Sequence, residues 1–226
     1  MRGLAGAGAL MRGMAGAVAA AAMGLAAGQA QAFADSYAGR LEALTKAQRL
    51  NADLLSRPSA TETLTLWCAA GHLADPPRVT AVRLPGVVRP APPEVRALLG
   101  AGPKDVVRYR HVQLTCGDHV LSEADNWYLP ARLTPQMNQV LDTSDTPFGA
   151  AVRALNFQRQ TLETVMLLRL FPPNDPSPTR AAARLMLPID ILQHEAVLTT
   201  PDGTPFSVVV ETYTRELLEP SEVPPR

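Results

Sequence analysis

Val106–Pro130 reads VVRYRHVQLTCGDHVLSEADNWYLP, and the fold turns on how that stretch is parsed. Val106 to Thr115 alternates, with Val106, Arg108, Arg110, Val112 and Leu114 on one side and Val107, Tyr109, His111 and Gln113 on the other. Val120 to Leu129 alternates in the same way. Cys116-Gly117-Asp118-His119 lies between, and Gly with Asp at the centre of a short link between β-rich runs signals a hairpin. A rival parse makes Cys116 and His119 zinc ligands, together with Cys68 and His72 upstream. The spacings are C-x3-H and C-x2-H, whereas structural zinc favours paired knuckles of the C-x2-C kind. The first pair also falls on an expected helix and the second on the hairpin tip. The hairpin reading is therefore preferred, with no metal, and with His119 placed in solvent.

Outward from the hairpin, the chain yields an α+β pattern. Ser36 caps a helix that runs to Arg57 before Pro58, with Leu41, Leu44, Leu50 and Leu54 set near one face. A second helix covers Glu62 to Ala70, capped by Ser59 or Thr61. Arg78–Leu84 alternates as a strand, and Pro93–Leu99 with Gly100 behind it reads as a short helix. Thr134 and Pro135 open another helix to Leu141, and a loop from Thr143 to Gly149 leads into a short one at Ala150–Leu155. Gln160–Phe171 is β-rich, Pro172–Pro178 is a surface loop, and Ile191–Thr200 and Phe206–Leu217 are strands joined by a Pro-Asp-Gly-Thr-Pro turn. Neighbouring strands with helices beside them predict one antiparallel sheet with flanking helices.

The N-terminus and composition narrow the function. Arg2 and Arg12 are the only charges before Asp35, an Ala-rich run spans Ala15–Ala27, and Ala30-Gln31-Ala32 follows. A basic start, a short apolar core and a small-x-small end form a secretory signal over 1–32, cleaved after Ala32 or, alternatively, Ala34. That implies an exported, periplasmic protein without a stable membrane span; an uncleaved anchor, or a start at Met11 or Met14 that leaves it cytoplasmic, stays open. The remainder divides into an N-terminal helix at 33–58, one domain at 59–220 and a tail at 221–226. Lysine plus arginine and aspartate plus glutamate both number 21 in the 226 residues, so no net field points to nucleic acid. The chain is read as a monomer.

No Gly-rich phosphate loop, HExxH, GxSxG or CxxC is present. In an exported chain Cys68 and Cys116 form a candidate disulfide, the alternative being two buried small hydrophobes. What remains is Arg110 in the first hairpin strand and Glu211 after the apolar run Phe206–Val210. A charge that enters a sheet interior must be paired or bind a ligand. Alternation alone leaves open whether these two hold a ligand or form an edge pair facing water.

Four pieces, in order, resemble the chorismate pyruvate-lyase family: Arg110-His-Val-Gln-Leu114, Trp127-Tyr-Leu-Pro130, Asp145-Thr-Pro-Phe-Gly149 and Gly203-Thr-Pro-Phe-Ser-Val-Val-Val-Glu211. The resemblance covers about Thr61 to Leu218. It implies a single antiparallel sheet with helices over a buried aromatic-acid pocket, and elimination of pyruvate from chorismate to give 4-hydroxybenzoate without a cofactor. Arg110 is then similar to the arginine that binds a substrate carboxylate, and Glu211 to the acid or base. Phe148, Gly149 and, less directly, Leu64 fall at pocket-lining positions. Two departures stand out: Gln193-His194-Glu195-Ala196 replaces a pair of arginines, and an export signal removes the protein from the cytoplasm where chorismate is made. The competing reading is an exported, non-catalytic binder of a small aromatic or carboxylate ligand.

Overall fold

The computed structural model describes residues 32–84, 86, 88–171 and 183–219. The basic and apolar parts of the export signal, the Pro172–Pro178 loop and the 221–226 tail lie outside the described residues. Six strands form one antiparallel sheet: β1 (Val79–Arg83), β2 (Arg108–Cys116), β3 (His119–Tyr128), β4 (Gln158–Met166), β5 (Asp190–Thr199) and β6 (Pro205–Thr214). Their spatial order is β1-β2-β3-β6-β5-β4. The hairpin closes with Cys116 opposite His119, so Gly117 and Asp118 alone make the turn. Gly117 has φ of +57°, a left-handed value that a side chain resists.

Helices α1 (Tyr37–Leu55) and α2 (Ala60–Ala70) cover one face of the sheet. Ser36 caps α1 by accepting from the Gly39 amide, and Ser59, not Thr61, caps α2 by accepting from the Glu62 amide. The inner side of α1 is Gly39, Ala43, Ala47, Leu50 and Leu54, whereas Leu41 is 46% exposed. The expected leucine face was out of phase. At about 100° per residue, Leu41 lies half a turn away from Leu50, and small alanines let the helix approach the sheet instead. Leu50, Leu54 and Leu64 join Val112, Leu114, Ala124 and Tyr213 in the main core.

On the same face, α4 (Pro135–Thr143) and α5 (Phe148–Ala151) build a second apolar cluster, in which Phe148 packs against Tyr128 and Phe206. The expected helix at Ala150–Leu155 is split, with α5 starting two residues earlier and a 3-10 turn at Arg153–Leu155. Helix α3 (Pro93–Leu98) covers the opposite face, where Val95 and Leu99 meet Trp127 and Val208. Cys68 of α2 and Cys116 of β2 are joined as a disulfide that ties the first helical layer to the hairpin. Neither sulfur is then a free metal ligand. His119 is not in solvent: its side chain is 13% exposed and its Nδ1 lies 2.9 Å from Glu216 Oε2. The turn folds back over the short helix after β6, which the sequence read as continuing strand.

Candidate ligand-binding cavity

Register places three charges on one face of the sheet. Arg110 is opposite Asn126, and Asn126 is opposite Val209. Glu211 is opposite Ala124 on one side and His194 on the other. Arg159 is opposite Leu198, whose other partner Ser207 pairs with Tyr128. Strand side chains of one parity share a face, so these cross-strand rows converge under the same roof. The roof is the start of α2 and the start of α5, which contribute Ser59, Thr61, Phe148 and Gly149.

The cavity measures about 60 Å³ and opens outward at its mouth, and Arg110, Asn126, Arg159 and Glu211 supply its polar wall. Phe148, Phe157, Leu198 and Val209 supply much of the apolar wall. Gly149 sits where the roof is tightest: a Cβ there would stand 3.2 Å from Ser59 Oγ and 3.3 Å from Thr61 Oγ1. A larger residue there would require the Ser59 or Thr61 hydroxyl to give by a few tenths of an ångström.

Arg110 and Glu211 are thus neither exposed nor an edge pair; they are 7% and 3% exposed. Glu211 is well held. Its Oε1 accepts from Ser122 Oγ at 3.1 Å, and its Oε2 accepts from the Tyr213 hydroxyl at 2.9 Å. Burial and the adjacent carboxylate push the Tyr213 phenol well above its ordinary value, which keeps it a donor. The two arginines are held far less well. Arg110 donates from Nη2 to the Thr146 carbonyl oxygen at 3.2 Å, while its buried Nε and Nη1 have no partner. Burial first, and then the Arg83 charge, push the Arg110 pKa down to about 10.

Arg159 was missed by the sequence reading, which began its strand one residue later, at Gln160. Its side chain is 3% exposed, its Nη1 lies 3.9 Å from Glu211 Oε2, and its buried Nε and Nη2 have no partner. A second cation is therefore present, supplied by β4 rather than by the Gln193–Ala196 segment. That segment places His194 in the core, where Nε2 meets Asn51 Oδ1 at 2.8 Å. Burial, and then the charge of Arg159, lower the His194 pKa to about 4. Two guanidiniums facing one carboxylate leave a surplus of one positive charge in the cavity.

Of the expected lining residues, Arg110, Phe148, Gly149 and Glu211 come together. Leu64 does not join them. It is fully buried in the main core, because Thr61 rather than Leu64 occupies the turn of α2 that reaches the cavity.

The molecule is an α+β domain with one six-stranded antiparallel sheet and a cationic cavity beneath its helices. The chain belongs to the family of the uncharacterized protein y4mC of Sinorhizobium fredii (strain NBRC 101917 / NGR234), with 50% identity over 185 residues covering 80% of this chain and 78% of that protein. No family model matches. Among solved structures, it is similar to the possible transcriptional regulator YydK from Bacillus subtilis at 18% identity, covering 66% of this chain and 62% of that one, with a TM-score of 0.40. The chain therefore spans less than two thirds of that regulator's length. It is also similar to the effector domain of PhnF from Mycobacterium smegmatis at 14% identity, covering 70% and 88% of the two chains, with a TM-score of 0.44. The expected membership of the chorismate pyruvate-lyases is corrected by these findings: the family shown is that of y4mC, and no family model, that of the lyases included, matches.

Proposed function

We propose that the domain binds a small molecule carrying a carboxylate, in the cavity beneath α2 and α5, as a binder rather than a catalyst. One observation carries this reading: two guanidiniums, both nine-tenths or more buried, leave four nitrogens unpartnered around one space. A buried donor without an acceptor costs about 1–3 kcal/mol, and more when charged, so a fold that keeps four of them is poised for an anion. A carboxylate accepts from such planar forks in pairs. Phe148 and Phe157 offer a flat apolar body somewhere to pack, which favours an aromatic or otherwise hydrophobic carboxylate. Glu211 acts as counter-charge: both its oxygens already accept hydroxyl donors, which does not favour it as a proton carrier for an elimination.

The place of action in this proposal is outside the cytoplasm. The 1–32 export pattern motivates it, and the Cys68–Cys116 pair supports it, since oxidising compartments keep disulfides. Fractionation of expressing cells tests that part, and full-length protein retained in the cytoplasm would overturn it.

Binding is tested by thermal shift with benzoate, acetate and the neutral isostere benzamide at fixed ionic strength. At a hundred times its Kd a ligand stabilises by about 2.7 kcal/mol. Benzoate should raise Tm, acetate less so, and benzamide not at all. An equal response to benzamide would show that the arginines do not select the ligand.

A further inference from the structure

Arg110 also borders a second depression, lined with Arg83 of β1, Arg108 and Tyr109 of β2, Tyr128 of β3 and Leu141 and Asp142 of α4. Arg110 is the one residue that lines both spaces. Three guanidiniums here meet a single carboxylate. Asp142 takes Arg108 at 2.9 Å, and neither Arg83 nor Arg110 has a carboxylate partner among the described residues.

The chemistry of this wall differs from that of the carboxylate cavity. Leu141 and the two tyrosines are the least polar residues of a wall otherwise made of charged side chains, so it gains little from burying a hydrocarbon body. Arg83 and Arg108 are exposed, and an anion held there keeps part of its water. Several forks converging on a wet, polar hollow suit a compact oxyanion of high charge density. We propose that this depression is a separate site for a phosphate-type oxyanion, held by Arg83 and Arg108, with Arg110 as the cation it shares with the carboxylate cavity. The sharing has a physical motive. Arg83 repels Arg110 strongly enough to be the second cause, after burial, of its lowered pKa, and an anion between them removes that repulsion.

The shared cation couples the sites. Phosphate in the outer site subtracts from the positive potential of the cavity, so each anion weakens the other by the same factor. The fold-change expected is roughly fivefold, at the low end of ordinary coupling between sites.

The test is calorimetric titration of inorganic phosphate into the full chain, with sodium chloride holding ionic strength constant. Saturable binding is expected in wild type and in Arg159→Met, and a loss of tenfold or more in Arg83→Met/Arg108→Met. Because both replaced side chains are exposed, that double variant should keep its fold, checked by an unchanged Tm. Phenyl phosphate is titrated in parallel. Tighter binding than phosphate assigns the site to the phosphoryl group of a larger molecule, and equal binding assigns it to free phosphate. Saturating phosphate should raise the Kd for benzoate in wild type but not in the double variant. No heat beyond that of chloride would overturn the proposal, as would phosphate binding that survives the double variant and vanishes in Arg159→Met. A benzoate Kd indifferent to phosphate would remove Arg110 from the site. Phosphate binding in the absence of any benzoate binding would sink the proposed carboxylate function while leaving this site intact.

Discussion

Replacing Arg110 with methionine should make the unliganded protein more stable and the protein unable to respond to carboxylates. The magnitude follows from the environment of the guanidinium. Burial and the nearby Arg83 charge push its pKa down from the ordinary arginine value to about 10. At about 1.4 kcal/mol per tenfold, the folded state disfavours the charged group by roughly 3 kcal/mol. The single bond to the Thr146 carbonyl oxygen goes with the substitution, at about 1 kcal/mol. Methionine fills similar volume without donors, so Arg110→Met should gain about 2 kcal/mol net, in line with other buried charges exchanged for hydrophobes. For a chain of this size that is a rise of about 5 °C in Tm. The sign with pH agrees. A base with a depressed folded pKa carries its full penalty below pH 10 and sheds it as pH rises above that, so the gain from Arg110→Met should shrink above pH 10. The assay is thermal unfolding of wild type and variant at neutral pH, with and without saturating benzoate. Benzoate should raise Tm only in wild type. A variant less stable than wild type would refute the reasoning, because Arg110 would then be a structural pillar. A variant that keeps the benzoate shift would refute it equally.

Other outcomes follow from the same structure. Leu64→Ala should cost about 2–5 kcal/mol in denaturant unfolding, as a fully buried core leucine, while the benzoate Kd stays within about twofold because Leu64 does not line the cavity. His194 should make the fold acid-sensitive. With its folded pKa lowered to about 4, the unfolded chain takes the proton first as pH falls below 6.5, and stability drops until pH 4. The loss should be about 2 kcal/mol at pH 5. His194→Gln should flatten that slope; an unchanged slope would place the acid sensitivity elsewhere. Reduction of Cys68–Cys116, which are separated by 48 residues, should cost about 4 kcal/mol in the chain-entropy account, read as a lower denaturant midpoint in dithiothreitol. No change in midpoint would mean the reduced unfolded chain is already as compact as the oxidised one.

The hairpin was legible because two physical signals agreed over Val106–Pro130: period-two alternation and a Gly-Asp turn. Arg110 could be flagged from the same stretch, since it shares parity with Val112 and Leu114. What it faces could not be read, because that depends on which strands lie across the sheet. Arg159 shows the limit best. It lies on an edge strand that is polar or exposed from Gln158 to Thr164, so no alternation marks its inward side. It reaches Glu211 across the intervening strand β5, a placement that only the strand order supplies. His119 failed for a related reason: its partner Glu216 lies nearly a hundred positions away, and a turn looks solvated until something folds onto it. Leu41 failed locally, where the apolar periodicity of α1 is weak and alanine rather than leucine marks the buried side.

The central claim is that the cavity is an anion site built from Arg110 and Arg159. The most direct measurement is a crystal structure of the full chain with saturating 4-bromobenzoate, located by its bromine anomalous signal. The account predicts the carboxylate within hydrogen-bond distance of the unpartnered nitrogens of both arginines, with the ring against Phe148 and Phe157. Bromine found only on the surface, with both guanidiniums still unpartnered, would contradict it.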